Sequence, residues 1–465
     1  MITNLKPYPA YRDSGVEWLG KVPEHWDNCT IRNIACFLKG KNPKNVYSNI
    51  DAPPGALPYL TMEYLRGKCK IAKTYSVESE DVTISDNGGI LLLWDGANAG
   101  EFFIAKIGIV SSTCALVKIN GQNHAYVYLV LKQYEPFLKS FTIGMGIPHV
   151  DINVLKQLNI PLPPLPEQAL IVRFLDWTER RLRKAISLRQ KRIKLLEEYK
   201  QTLINEAVTG KIDVRTGKPY PAYKDSGVEW LGKVPEYWEV RRLKSTVSQI
   251  NIQVNSKNID DLYIALENVE SWTGRYSVIS GEVKFESQVK RFEPDDILLG
   301  KLRPYLAKVI RPSLPGVCVS EFLVLRPSSV FLPYYLELMV RSFSFINFVN
   351  SSTYGAKMPR AEWIFIGNML VPLPPLPEQA AIVEYIDAKC AKIDSAITSD
   401  RKVIELLKEF RTRLIADVVT GKLDVRDVAE KLPEEPEEEM EPIEGETEEK
   451  EASEIDALSE EETDE

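Results

Sequence analysis

Seven polar side chains stand where they could meet the edge of a nucleic acid. Lys301, Arg303, Lys357 and Arg360 fall in loop-like stretches of the second half of the chain. Arg and Lys pair with the N7 and O6 acceptors of guanine. The counterpart loops of the first half offer Asp95, Asn98 and His149. Taken singly, each is ordinary surface charge; the case for contact rests on their recurrence at matching loop positions. A further basic run, Arg180, Arg181, Arg183, Lys184, Arg189, Lys191, Arg192 and Lys194, offers phosphate attraction or simply a solvated helix face.

Catalytic chemistry is scarce by comparison. The chain has no GxxxxGK[ST] phosphate loop, no GxSxG elbow and no HExxH zinc helix. Asp295 and Asp296 adjoin but lack a well-spaced acidic follower and lysine for a nuclease, and no Asn- or Asp-Pro-Pro-aromatic run is present. With three histidines and no CxxC among six cysteines, no metal site and no catalytic residue can be named. The chain therefore reads as a binding protein rather than an enzyme.

The elements that must position these loops are written twice. YPAYRDSGVEWLGKVPEHW (Tyr8–Trp26) returns as YPAYKDSGVEWLGKVPEYW (Tyr220–Trp238), PLPPLPEQA at 161–169 returns at 372–380, and VTGKIDVR (208–215) returns as VTGKLDVR (419–426). Between these blocks lie two inserts, 27–159 and 239–370, that are barely alike. Each is long enough for a compact domain. Both contain short β-like runs (89–94, 107–119, 296–302, 317–325) and an apolar helical stretch (125–141, 332–349), so α+β domains are expected. Faint echoes link them: GMGIPHV at 144–150 sits opposite GAKMPRA at 355–361. The repeated tryptophans Trp18, Trp26, Trp230 and Trp238 are expected to pack in the core, and the doubled PLPPLP to act as a structural elbow.

After each elbow comes a stretch free of Pro and Gly. Residues 167–207 would form one helix of roughly 60 Å at about 1.5 Å per residue. Heptad positions carry Leu175, Leu182, Leu196 and Leu203 with Val172, Ile186 and Ile193; the second copy offers Ile386, Ile393, Leu407 and Leu414 with Val383, Ile397 and Ile404. A helix this long with a narrow apolar stripe needs a partner helix, and its twin is the natural one. Arg189 and Asp400 occupy equivalent midpoints, so an antiparallel coiled coil would bring them together and place Glu179 near Arg411. Such pairs fix register more than they add stability.

The whole-chain charge of −8 conceals a division. Residues 427–465 hold 20 acids and two lysines, net −18, which leaves the preceding 426 residues at +10. A basic body with a disordered, acidic tail suits a nucleic-acid binder. No apolar run approaches membrane-spanning length, the first residues lack a secretion signal, and the unpaired cysteines suit a cytoplasmic protein.

The VPEHW/VPEYW openings, the doubled PLPPLPEQ before a long helix and the doubled VTGK resemble the specificity subunit of type I restriction–modification systems over about 8–426. The resemblance implies two target recognition domains, each reading one half of a split DNA sequence, with two spacer helices that also dock methyltransferase subunits. It implies a non-catalytic chain whose partners carry SAM, ATP and magnesium and, where a restriction motor is present, translocate and cleave DNA. The expected layout is a first recognition domain with its repeated block at 1–159, a first spacer helix at 160–215, a second domain at 216–370, a second helix at 371–426 and the acidic tail at 427–465. The competing reading is a coiled-coil scaffold that organises a protein complex without DNA; a nuclease or methylase in its own right should already show motifs.

Overall fold

The computed structural model describes residues 5–16, 19–77, 82–144, 146–278, 288–353 and 359–433. The chain divides into two compact units, 1–190 with 401–465, and 191–400. Helices α1 (His124–Gln133), α2 (Leu165–Val208), α3 (Pro333–Val340), α4 (Leu376–Val419) and α5 (Arg426–Glu430) organise them. The unit boundary falls inside both long helices.

In the first unit a four-stranded sheet runs Phe102–Ile104, Ile90–Leu93, Cys114–Ile119, Ala35–Lys39. The second unit repeats this order as Val309–Ile310, Ile297–Gly300, Phe322–Pro327, Val247–Ile250. Each unit has a second sheet, of five strands in the first and four in the second. Its signature is a parallel pair, Leu57–Leu60 with Gly108–Val110 in one unit and Leu262–Ile264 with Gly316–Cys318 in the other. Two unlike sequences thus take one α+β architecture.

The continuous apolar strands explain themselves by alternation. Ile90 and Leu92 face a core with α1, while Leu91 and Leu93 face a second core with Leu60 and Val110. Ile297 and Leu299 against Leu298 do the same in the second unit. A strand buried on both faces must be apolar throughout. The expected helical stretches are each broken into two helices, His124–Gln133 with Glu135–Ser140 and Pro333–Val340 with Phe343–Ser351.

Both long helices have 44 residues, close to the expected span. Their Pro-rich approach is extended: Asn159–Leu162 pairs antiparallel with Asp27–Thr30, and Leu370–Leu373 with Glu239–Arg242. The elbow is therefore also a short sheet edge that ties each insert's beginning to its end.

The acidic segment begins later than the expected 427. Helix α5 packs Val425, Ala429 and Leu432 into the first unit's core, where each is nearly or fully buried. Those apolar side chains were outweighed in the sequence by the charges that follow. The expected disorder of the remaining tail concerns 434–465, outside the described residues. No helix among the described residues is long and apolar enough to cross a membrane.

Candidate nucleic-acid interface

Two loops carry most of the candidate residues, and the backbone ties them together in the same way in each unit. In the first, Gly96 N–H donates to the Pro148 carbonyl at 2.9 Å and Val150 N–H to the Trp94 carbonyl at 3.0 Å. This is an isolated bridge between Asp95 and His149. In the second, Arg303 N–H donates to Pro359 at 2.8 Å and Ala361 N–H to Lys301 at 2.9 Å, around a bridge between Leu302 and Arg360. The spacing between loops changes by a few residues, yet the bonds correspond one for one.

The side chains on that frame differ. Asp95 Oδ1 lies 2.6 Å from His149 Nδ1 and its Oδ2 2.7 Å from Lys39 Nζ, so both carboxylate oxygens are engaged. Asp95 is largely covered while His149 is exposed, which makes Asp95 a positioner of the imidazole. Asn98 is partly buried and its carbonyl accepts from Glu101 N–H at 3.3 Å. In the second unit the Arg360 guanidinium meets Glu321 at 3.2 Å and remains half exposed. Lys301 is partly buried and Arg303 exposed. Arg303 and Ala307 hold left-handed backbone at φ 51° and 46°, flanking the short turn Pro304–Leu306. Non-glycine residues held there cost free energy and cluster at working sites. Lys357 lies outside the described residues. Lys39, at the end of a strand, and Glu321, in the turn before one, lie far along the chain from the residues they meet, so no local spacing marks them.

The adjoining acids are spent on structure. Asp296 is 1% exposed and accepts two bonds of 2.7 Å from Arg326, and Asp295 pairs with Arg311. Among the described residues no group of three or more His, Cys, Asp or Glu could hold a metal ion.

The repeated words converge on one buried glutamate per unit. Glu167 accepts from the Tyr8 hydroxyl at 2.7 Å and the Trp26 indole at 3.0 Å, and lies 2.8 Å from His25 Nε2. Glu378 accepts from Tyr220 at 2.7 Å, Tyr237 at 2.8 Å and Trp238 at 3.1 Å. Burial, then the neighbouring carboxylate, pushes the Tyr8 and Tyr220 hydroxyls well above their ordinary range, so both remain donors. The next residues, Gln168 and Gln379, accept from Asn123 N–H at 3.0 Å and Leu332 N–H at 2.8 Å, at the starts of α1 and α3. The VTGK words close the assembly: a Cβ on Gly210 would lie 2.4 Å from Pro235, and one on Gly421 the same distance from Pro23. Both glycines have φ above +70°, which ends each long helix in a left-handed cap. Trp26 and Trp238 are buried, and Trp230 packs on Phe345 and Phe348. Trp18 lies outside the described residues.

Halves of the long helices pair within each unit. In the first, Glu179 Oε2 accepts from Arg411 Nε at 2.7 Å, and Phe174 and Leu175 share a core with Leu414 and Val418. In the second, Lys200 meets Asp394 at 2.7 Å and Arg192 meets Asp400 at 2.6 Å. Position rises along one helix as it falls along the other, so the halves run antiparallel. Asp400 is 1% exposed. Arg192 lies three residues along from Arg189, on the same helix face.

Comparison with known proteins shows what the chain is similar to. Residues 23–198 match the type I restriction modification DNA specificity domain. The chain is 28% identical over 429 residues to the type I restriction enzyme MjaVIII specificity subunit of Methanocaldococcus jannaschii, covering 88% of this chain and 95% of that protein. It is 22% identical over 420 residues to the EcoDI specificity subunit of Escherichia coli, covering 87% and 90%. A chain solved in work on complex assembly and conformational transition of the type I R-M system shares the fold, with a TM-score of 0.63 and 16% identity over 86% of this chain and 99% of that one. The duplicated frame, the paired helix halves and these matches together make the chain similar, over most of its length, to type I restriction enzyme specificity subunits.

Proposed function

We propose that this chain is the non-catalytic subunit that gives a methyltransferase its DNA sequence specificity, with each globular domain reading one half of a bipartite, asymmetric target. The observation that carries this reading is the pair of bridged loops: one backbone frame presents Asp95 and His149 in the first unit and Leu302 and Arg360 in the second. Identical readers would suit a palindrome; unlike readers on one frame suit two different half-sites. Arg303 and Arg360, with Lys301 and Lys357, are the donors for the second half-site, and His149, held by Asp95, with Asn98 serves the first.

The two long helices are the spacer and the docking surface for methyltransferase subunits and, where present, a restriction subunit. SAM, ATP and magnesium belong to those partners. Glu179 with Arg411, and Arg192 with Asp400, set helix register. The setting is the cytoplasm.

The test is to map methylated adenines in cells that express this chain with its methyltransferase. Two unlike half-motifs separated by a fixed gap are expected, and they should vanish when this chain is omitted. Methylation that persists without it, or a single contiguous motif, would refute the reading.

A further inference from the structure

The tip of the first domain's bridged loop has a chemistry of its own. Ile143 and His149 exchange both backbone bonds, at 2.9 and 2.8 Å, and close a short hairpin. Gly144 turns the chain at φ +123°, where a Cβ would lie 2.5 Å from the Ile147 carbonyl, so the tip tolerates only glycine there. That turn leaves Ile143 56% and Ile147 59% exposed, with Phe141 50% exposed on the approach, its ring tilted against Phe137 at 4.7 Å between centroids. Single exposed apolar residues are ordinary, but three of them between 141 and 147 mark a binding surface. From Ile143 to Pro148 the sequence contains no charge, so this tip has nothing for a phosphate.

One polar group accompanies it. His149 Nδ1 faces Asp95 at 2.6 Å, and Asp95 also holds Lys39. A neutral imidazole oriented this way donates through Nδ1 and leaves Nε2 as an acceptor. In the major groove, amino donors belong to adenine and cytosine, and the apolar methyl belongs to thymine alone. Only an A·T pair offers both.

Resting on the DNA-recognition reading above, we infer that this hairpin reads A·T pairs in the major groove, Ile143 and Ile147 against thymine 5-methyl groups and His149 Nε2 accepting from adenine N6. The second copy spells YGAKMPR where the first has IGMGIPH. Its Lys357 and Arg360, with Arg303, can only donate, which suits guanine. The two half-sites would thus differ in base chemistry as well as in order.

The test uses the full chain in complex with its methyltransferase subunits and a duplex carrying the mapped motif. Exchanging residues 27–159 for another recognition domain first identifies the half-site that belongs to the first domain. Deoxyuridine is then placed at each thymine of that half, removing one methyl at a time. About fourfold weaker binding is expected at one or two positions, the equivalent of roughly 0.8 kcal/mol for one buried carbon. Ile143→Ser and Ile147→Ser should lower affinity for the thymine duplex similarly and abolish the difference between thymine and deoxyuridine. Full affinity for every deoxyuridine duplex, or serine variants that still distinguish the two bases, would overturn the inference. So would a first half-site with no A·T pair beyond that of the methylated adenine. The deoxyuridine series uses unaltered protein and stands even if a variant misfolds. If the exchange alters neither half-site, the recognition reading itself fails, which is a separate outcome.

Discussion

Glu167 and Glu378 show how much structure one side chain can carry. Each accepts from a tyrosine and a tryptophan of the repeated block while nearly excluded from water. Bonds to a charged acceptor are stronger than neutral ones, and a glutamine would turn an amide donor toward groups that themselves donate. Glu378→Gln is expected to destabilise the second unit by about 2–4 kcal/mol, read as a lower urea midpoint and lost hydrogen-exchange protection in 220–238. Unchanged protection there would contradict the role. Close by, Asp213 is held below the ordinary carboxylate range, chiefly by its bond to Arg215, with burial opposing. A depressed carboxyl contributes stability above its unfolded value, near 3.9. That contribution disappears as pH falls through the lower folded value. The stability gap between the parent and Asp213→Asn should therefore be constant near neutrality and shrink below about pH 4. Urea midpoints across that range would measure it, and a gap that widens in acid would be the wrong sign.

At the scale of elements, the long helices depend on each other more than on their own propensity. Ile186, Ile397 and Ile404 are buried, while Glu179 and Arg411 meet across the pair at 2.7 Å and Arg183 also reaches Glu179. A double-mutant cycle of Glu179→Gln and Arg411→Gln should give a favourable coupling of about 0.5–1 kcal/mol, modest because both groups are partly solvated. Zero coupling would remove this pair from the register argument. Such helices were legible in the sequence because a long run free of Pro and Gly, an apolar heptad stripe and flanking Pro and Gly are local signals. The α+β inserts were legible in kind from strands such as Ile90–Leu93, apolar on both faces. The partners of the site were not. Lys39 reaches Asp95, and Glu321 reaches Arg360, only after distant strands pair, and no local spacing marks them. Glu167 and Glu378 stood in plain sight inside identical PEQ words, where repetition alone could have singled them out.

At the scale of the whole molecule, the repeats are distributed so that the two units differ in continuity. The second is drawn from one stretch, 191–400, whereas the first joins the beginning of the chain to its end. Lys6 pairs with Asp424, Tyr11 reaches the Gly421 carbonyl, and Leu432 completes the first core. A chain ending at Val419 should lose hydrogen-exchange protection in 8–26 and 124–133 while 220–238 and 333–340 keep theirs. Equal loss in both units would contradict that independence. The division of labour between repeated frame and unlike inserts makes the central claim open to one direct measurement. Methylated adenines are mapped with the parent chain and again after residues 27–159 are exchanged for another recognition domain. One half-motif should change while the other half and the gap stay as they were; a motif unchanged, or changed in both halves, would contradict it.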